Sequence, residues 1–311
     1  MPYRPTRKPT LKKLLIRYIT FWLGKIICLF FEELPLSFSR LLLGRLTRFI
    51  GCFTPSQKKL ALAHLKLAFG DELTDRDRKR IVAKMFSNIV GKNLSEFLAI
   101  TRCRKKELLR LVDGSEYVQK VNEALAKGKG CVIATGHLGN WELFAGYTSS
   151  IFTLYVVALR LHFDKYDKEV VRRRNRMGTK VIYQTDGIRP IIKALRNNHL
   201  VGVLVDQDIR DVSGVFVDFF GKKAHTVTAP FSIAQTTGAM ILPAACVRLL
   251  NGKHKIITSD FLEIVNTGDK LKDRETMAQN WSHIFEKFVK DYPEQWVWFH
   301  KRWKTRPKDV E

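Results

Sequence analysis

The sequence predicts an α/β fold in which a mixed, mostly parallel sheet is flanked by helices and follows a helical, membrane-associated N-terminus. Three observations predict it: an apolar segment with basic flanks, a stretch of continuous helical periodicity, and a longer region where short β-branched runs alternate with helical stretches. With 311 residues, 45% of them hydrophobic, the chain can bury a sizeable core. We expect a membrane-anchoring segment at 1–35, a helical lead-in at 36–111, and an α/β core at 112–311 that forms one domain with the lead-in.

The N-terminal apolar segment, residues 18–31, reads YITFWLGKIICLFF. It is short for a helix that spans a bilayer, and Glu32 and Glu33 stand where a signal peptide would have the small residues of its cleavage site. Basic residues flank it on both sides, so the positive-inside rule does not orient it. We expect a helix that lies on the cytoplasmic membrane surface or dips into it and returns. A single-pass span and a core helix of a soluble domain stay open.

The lead-in and the core differ in the period of their apolar residues. From residue 36 to about residue 111 the period is helical, and Thr74 with Asp77 forms a helix-start signal. After it, short apolar runs predict strands, with helical stretches between several of them. The predicted strands are GCVIAT, LYVVAL, KVIYQ, LVGVLVD, AMILPAACVRL and HKIITSDFLEIV. A long helical stretch, RETMAQNWSHIFEKFVKDYP, closes the core.

The chain is strongly basic. Its 54 Lys and Arg against 30 Asp and Glu give a net charge of +24, which attracts nucleic acid, anionic lipid head groups or an acidic carrier protein. The basic residues are spread along the sequence and match no standard nucleic-acid-binding module, so no nucleic acid is expected. The five cysteines include no C-x-x-C pair, which favours a reducing, cytosolic setting.

The stretch CVIATGHLGNWELFAG delivers a histidine to the end of a predicted strand and an acid to the start of a helix. Five residues apart on one helix, His137 and Glu142 would be separated by about 140°, so they must lie on different local structures to meet. Flanking glycines loosen the turn around His137, and Asn140 is a predicted helix N-cap. We expect the carboxylate of Glu142 to hold the His137 ring, which forms a general base with its orienting acid.

Other chemistries have weaker signals. The sequence contains no G-x-S-x-G elbow, no phosphate-binding P-loop and no dinucleotide fingerprint. Asp206 and Asp208, in VDQD, are a weak metal signal and fit better as strand-end acceptors that orient basic side chains. We expect no metal and no cofactor. The cluster RRRNR, residues 172–176, suits phosphate groups, and a solvated helix face is its alternative.

With these residues placed, GHLGNWEL resembles the H-x-x-x-x-D/E motif of glycerolipid-type acyltransferases. The chain looks most like the bacterial lauroyl/myristoyl acyltransferases that add secondary acyl chains to lipid A. Three further blocks of the sequence resemble that family in the same order. They are the N-terminal LPLSFSRLLLGRLTRFIG, the segment with VDQD, GVFVDFFG and TGA, and the ending WVWFHKRWKTRP.

The resemblance implies a glycerolipid-acyltransferase-like fold and transfer of a fatty acyl group from acyl carrier protein, or coenzyme A, to a hydroxyl of a lipid A precursor. The thioester would be the co-substrate, and the core would face the cytoplasm at the inner membrane. His137 would be the base and Glu142 its partner. Arg160 would bind phosphate or stabilise charge, and Asp206 would belong to the same site.

The complete candidate site has His137 and Glu142 as catalytic residues and a larger set as substrate-binding residues. That set is Asn140, Arg160, Arg172, Arg173, Arg176, Asp206, Gln207 and Asp208. The expected partners are acyl carrier protein, an anionic phosphorylated glycolipid acceptor and the membrane surface. A glycerol phosphate or lysophospholipid acyltransferase is the alternative, and a non-catalytic protein that binds anionic lipid or nucleic acid is a more remote one.

Overall fold

The computed structural model describes residues 10–103, 105–209 and 212–307. The helices before the sheet are α1 (Leu11–Glu33), α2 (Leu36–Ile50), α3 (Pro55–Phe69), α4 (Asp75–Met85), α5 (Asn93–Ile100) and α6 (Lys105–Leu111). Those within and after it are α7 (Ser115–Ala126), α8 (Trp141–Ser149), α9 (Asp164–Arg176), α10 (Arg189–Arg196), α11 (Ala229–Thr237) and α12 (Lys270–Asp291). The strands are β1 (Val112–Asp113), β2 (Cys131–Thr135), β3 (Leu154–Ala158), β4 (Lys180–Tyr183), β5 (Leu200–Leu204), β6 (Gly214–Phe219), β7 (Lys222–Val227), β8 (Met240–Arg248) and β9 (His254–Thr258).

The main sheet has seven strands in the order β1-β9-β8-β2-β5-β3-β4. Every neighbouring pair is parallel except β8 and β9, so the predicted mixed, mostly parallel sheet flanked by helices is confirmed. All six predicted strands form, and the chain adds a two-stranded antiparallel hairpin, β6–β7, that the sequence pattern did not predict. The division into three sequence regions stays a prediction.

The predicted apolar N-terminal segment lies within α1, which extends beyond it at both ends. Within the described residues, α1 is the one helix long and apolar enough to cross a membrane. Most of its large apolar side chains are exposed, and Phe21 is its buried residue. One side of α1 contacts α9, where the Phe21 ring meets Tyr166 edge to face at 5.4 Å and Arg173 pairs with Glu32.

Two apolar clusters form the core. The larger one contains Trp281 and Phe285 of α12 together with Trp296 and Trp298, which are 1% and 0% exposed. These two C-terminal tryptophans therefore pack inside the protein. The second cluster contains α7, α8 and one face of β2, including Tyr117.

Candidate active site

The end of β2 and the end of β5 meet at the middle of the sheet. The two strands are parallel neighbours, and their register pairs Thr135 with Leu204, the last residue of each. His137 lies two residues after β2, and Asp206 lies two residues after β5. The strand register therefore brings these side chains together at the carboxyl edge, where parallel α/β sheets commonly bind ligands.

Asp206 holds His137 through two hydrogen bonds. The ring Nδ1 lies 2.9 Å from Oδ1 of Asp206, and the backbone N–H of His137 donates to Oδ2 at 2.9 Å. Trp296 also donates its Nε1–H to Oδ2, at 2.8 Å. Burial by itself raises the pKa of Asp206, but the charge of His137 and these hydrogen bonds outweigh it and lower the pKa to about 2.

The expected contact between Glu142 and His137 is replaced by a different pairing. Both oxygens of Glu142 accept hydrogen bonds from Arg174, at 3.0 Å from Nε and 2.6 Å from Nη2. Both side chains are largely buried; burial by itself lowers the pKa of Arg174, but its hydrogen bonds to Glu142 and the charge of that carboxylate outweigh burial and raise the pKa. The prediction that Glu142 orients the ring is wrong in geometry, because α8 turns Glu142 toward α9 while Asp206 occupies the site beside Nδ1.

The second ring nitrogen of His137 is the one that remains for chemistry. In the neutral ring, a proton on Nδ1 that is donated to Asp206 leaves the lone pair on Nε2. The side-chain amide of Gln207 lies 3.3 Å from Nε2, and the Trp141 ring contacts the imidazole edge to face with a 4.9 Å centroid separation. The His137 side chain is 18% exposed, so the ring is accessible. Orientation by a carboxylate and an accessible Nε2 are what a general base needs.

The turn after His137 is tied to β8. Gly139 adopts φ +64°, and a Cβ there would collide with the carbonyl of Cys246, so the position requires glycine. The N–H of Asn140 donates to that same carbonyl at 2.8 Å. Asn140 also caps α8 as predicted, because its Oδ1 accepts from the N–H of Leu143 at 3.0 Å.

A buried ionic cluster around Glu96 contacts this turn through Asn140. Asn140 is 1% exposed and donates to Glu96 at 2.5 Å, and Glu96 is 0% exposed. Glu96 also pairs with Arg40 at 2.6 Å and with Arg248. Burial and the charges of the two arginines lower the pKa of the neighbouring His254 to about 2, so this histidine is neutral. Asn140 therefore has its hydrogen-bond partners within the protein, and its role in substrate binding stays a prediction.

Asp208 has a similar supporting role. Its carboxylate accepts from the N–H and the hydroxyl of Thr305, at 2.7 and 2.9 Å, and its own N–H donates to His300 at 3.1 Å. The side chain is fully buried. These bonds fasten the C-terminal segment to the loop that carries Asp206 and Gln207, and the role of Asp208 in substrate binding stays a prediction.

A largely apolar cavity lies between α8 and the sheet. Glu142 and Arg174 line it, together with Thr135 at the end of β2. The other lining residues are contributed by β2, β3, β5, α7 and α8, and most of them are apolar. They are Tyr117, Ile133, Trp141, Phe144, Ala145, Thr148, Leu154, Val156, Val157, Gly202 and Leu204. The cavity thus begins beside the histidine turn and continues under α8.

A more open depression lies on α9 and the end of β4. Its basic lining residues are Arg160, Lys168, Arg172 and Arg176. The Arg160 guanidinium stacks on the Tyr183 ring at 4.4 Å, and Arg172 pairs with Glu169. The structure therefore groups three of the predicted phosphate-binding arginines on one surface.

Arg173 lies outside that depression. It is 5% exposed and pairs with Glu32 of α1 and with Glu169. Its expected role as a substrate-binding residue has no geometric support, because both carboxylates come from the protein itself. Consecutive residues of a helix point in directions about 100° apart, which separates Arg173 from Arg172 and Arg174.

Arg174 and Glu96 are the residues that sequence reasoning missed. In the sequence Arg174 is one arginine of a basic run, and Glu96 lies in a predicted helix with no motif around it. The signal for Glu96 is its place on the apolar, buried face of an amphipathic helix, where an acidic residue needs a partner. Across the described ranges, no group of three or more His, Cys, Asp or Glu is positioned to hold a metal ion.

The fold and site define an α/β protein with a carboxylate-oriented histidine at the edge of a parallel sheet, beside an apolar cavity. The chain belongs to the bacterial lipid A biosynthesis acyltransferase family, whose sequence profile matches residues 6–305. The predicted family is thereby confirmed, and the protein is an acyltransferase with a lipid acceptor.

Individual relatives support the assignment. The lipid A biosynthesis acyltransferase of Haemophilus influenzae is 26% identical over 303 residues, which cover 95% of this chain and 90% of the relative. The lipid A biosynthesis lauroyltransferase of Escherichia coli is 26% identical over 302 residues, 94% of each chain. A phosphatidylinositol mannoside acyltransferase of Mycobacterium tuberculosis is 32% identical over 146 residues, 45% of each chain.

Proposed function

We propose that this protein transfers a fatty acyl group from the thioester of acyl carrier protein, or of coenzyme A, to a hydroxyl of a lipid A precursor. The observation that carries the proposal is the pair of His137 and Asp206, which leaves Nε2 of the ring accessible beside an apolar cavity. Acyl transfer to an alcohol needs a base for the hydroxyl proton and room for an acyl chain. His137 supplies the base, and in this proposal the apolar cavity that begins at Thr135 receives the acyl chain.

In the proposed step, Nε2 of His137 takes the proton of the acceptor hydroxyl while its oxygen attacks the thioester carbonyl carbon. The carbon–sulfur bond then breaks, and the imidazolium returns the proton to the departing thiolate. Asp206 remains ionised and stabilises the imidazolium, as a buried carboxylate with a pKa of about 2 does at neutral pH. A general base contributes about 10²–10⁴-fold to such a reaction.

The negative charge that develops on the carbonyl oxygen needs donors. The backbone N–H groups in the first turn of α8, at Trp141 and Glu142, lie where the helix dipole is positive. Arg174 lines the same cavity, and Glu142 occupies two of its five N–H donors. We assign Glu142 the task of holding Arg174 beside the reacting carbonyl.

The acceptor we propose is a phosphorylated glycolipid. The basic depression around Arg160 and Arg176 has exposed guanidinium groups, which bind phosphate by paired hydrogen bonds. Asp167 accepts from the Tyr183 hydroxyl at 2.5 Å and from the N–H of Leu161 at 2.9 Å. These bonds hold the loop that carries Arg160 against β4.

The net charge and the exposed apolar side chains support proposals for the acyl donor and for the location of the protein. A net charge of +24 favours an acidic carrier protein as the acyl donor. The exposed apolar faces of α1 and α2, which include Trp22, Phe38 and Phe49, support attachment to a bilayer. We propose the cytoplasmic face of the inner membrane, where a carrier protein in a reducing compartment can reach the site.

A second acceptor class is favoured by one comparison. The relative from Mycobacterium tuberculosis is named for a phosphatidylinositol mannoside, which is a glycerolipid, and this match has the higher identity. A glycerol phosphate, lysophospholipid or related phosphoglycolipid acceptor is therefore the alternative. It shares the base and the cavity, so only the acceptor distinguishes the two proposals.

The test is a single-turnover assay with purified full-length protein in detergent micelles. Labelled acyl carrier protein and coenzyme A donors are offered to a lipid A precursor, to glycerol phosphate and to a lysophospholipid. We expect label on the lipid A precursor. In His137→Ala, the rate of transfer should be about 10²–10⁴-fold lower. His283→Ala, an exposed histidine of α12, is the matched control and should keep full activity. Transfer only to a glycerolipid would select the alternative, and an undiminished His137→Ala rate would refute the mechanism.

A further inference from the structure

The cavity beneath α8 contains a gap in a row of side chains. In the sheet register, Gly202 of β5 lies between Ile133 of β2 and Val156 of β3, and all three residues line the cavity. Side chains in such a row fill the space between a sheet and the helix that covers it. The middle position of this row has none, so the space under α8 remains open there.

Nothing in the backbone around Gly202 requires glycine. Its φ lies outside the left-handed region, and a Cβ would meet only ordinary contacts, with Val156 Cγ1 at 3.5 Å and Leu154 Cδ1 at 3.7 Å. Glycine inside a strand is destabilising relative to alanine because of its greater freedom in the unfolded chain. Gly202 therefore makes the strand less stable than alanine would, and its lack of a side chain leaves the cavity open.

The position of Gly202 along the strand defines a depth. Leu204 ends β5 at the edge where His137 and Asp206 meet, and Gly202 lies two residues further in, roughly 7 Å along the strand. Beyond it the cavity is closed by Tyr117 and Thr148, whose hydroxyl groups are hydrogen-bonded to each other at 3.1 Å.

A separate observation points to a ligand at the other end. Thr135 is 7% exposed and lines the cavity next to the histidine turn. Its buried hydroxyl oxygen has no hydrogen-bond partner among the described residues. Buried hydroxyls are normally paired, so a polar atom of a bound molecule, such as a thioester carbonyl oxygen, is a fitting partner for this group.

We propose that Gly202 determines the length of the acyl chain that this enzyme accepts. The inference rests on the proposed function. The thioester lies near Thr135 and His137, and the acyl chain runs inward under α8 past Gly202 toward Tyr117. A side chain at position 202 would block the cavity at that depth and exclude the distal methylenes of a long chain.

The test compares Gly202→Ala, Gly202→Val and Gly202→Leu with the wild-type protein, using acyl carrier protein donors of increasing chain length. In Gly202→Leu we expect kcat/KM to fall about tenfold or more for the longest donor that the wild type uses, because excluding two methylenes removes burial worth about that factor. For shorter donors, kcat/KM should stay within about twofold of the wild-type value. A change of about twofold is well below the change that the loss of one buried methylene would cause. Preference should move stepwise to shorter chains from Ala to Leu.

Two matched variants separate this effect from a general loss of stability. Val156→Ala enlarges the same row and should shift the preference toward longer donors. Val203→Ala changes the opposite face of β5, where Val203 packs against the larger core cluster, and should alter all donors equally. An equal fall for every donor in Gly202→Leu, or an unchanged preference, would overturn the proposal.

A binding measurement makes the outcome independent of acyl transfer. Free fatty acids of the same lengths are titrated into His137→Ala and into His137→Ala/Gly202→Leu, and the shift in thermal unfolding temperature is recorded. We expect the double variant to lose the shift with long fatty acids and to keep it with short ones. If this holds while the wild type acylates no acceptor, the proposed reaction fails and the cavity assignment stands. If the wild type transfers acyl groups but both length profiles are unchanged, the inference about Gly202 fails by itself.

Discussion

Asp206 is hydrogen-bonded to His137 at two points: one carboxylate oxygen lies 2.9 Å from the ring Nδ1, and the other lies 2.9 Å from the backbone nitrogen. The ring and its backbone are thus fixed by the same carboxylate. Because Asp206 is itself fixed by the register of β5 against β2, the orientation of the histidine is built into the sheet.

Asp206→Asn should reduce acyl transfer by about 10²–10⁴-fold in kcat. An asparagine amide can donate to Nδ1, which would place the ring proton on Nε2 and remove the lone pair that the base needs. Circular dichroism should stay unchanged, since the side chains have the same shape. A rate within a few fold of wild type would contradict the assignment of Asp206 as the orienting residue.

Asp206 should also make stability depend on pH in the acid range. Its folded pKa of about 2 lies below the unfolded value of about 3.9. The stabilisation is therefore fully present above pH about 4 and is lost as the pH falls toward 2; it amounts to on the order of 2 kcal/mol. Denaturant unfolding of wild type and Asp206→Asn at pH 6 and pH 3 measures it. The difference in unfolding free energy between the two proteins should shrink at the lower pH, and a constant difference would contradict the prediction.

Glu142 and Arg174 should act as one unit. Glu142→Gln and Arg174→Met should each lower transfer, and the double variant should lose little more than either single one. The physical reason is that both oxygens of Glu142 are engaged by Arg174, so removing either partner ends the same contact. A double-mutant cycle on kcat/KM measures the coupling. Losses that add independently would mean that Glu142 acts on another group.

Gln207 should limit hydrolysis of the donor when no acceptor is bound. Its amide lies 3.3 Å from Nε2 of His137, where it competes with water for the lone pair. Gln207→Leu should increase acceptor-independent thioester hydrolysis several-fold. The ratio of hydrolysed to transferred acyl groups, measured with and without acceptor, is the readout. If hydrolysis falls together with transfer in this variant, Gln207 instead helps to bind the substrate.

Glu96 should support the active site through stability. Glu96→Gln leaves the buried Arg248 and the neighbouring Arg40 without their shared carboxylate, and breaking such a pair typically costs about 3–5 kcal/mol. Thermal unfolding is the measurement. Glu33→Gln is the control, because its pair with Arg102 is exposed and should contribute less than about 1 kcal/mol. Equal effects of the two variants would contradict the supporting role.

Local sequence patterns predicted most of the fold. The alternation of β-branched runs with helical periodicity identified six strands of the main sheet, and Thr74 and Asn140 form the helix caps that their positions indicated. These features depend on neighbours a few residues away, so they can be read along the chain. The sequence pattern does not predict the β6–β7 hairpin, because its second strand, KKAHTV, lacks the run of apolar residues that marks the predicted strands.

The sequence by itself determined the fold class, the family and the placement of His137 after a central strand. Only the tertiary structure decided the pairings: Asp206 with His137, Glu142 with Arg174, and Arg173 with Glu32 of α1. These partners lie 32 to 141 residues apart. Periodicity reports which face of an element is buried, whereas a partner at the sheet edge depends on strand order and register, which arise only when the strands assemble.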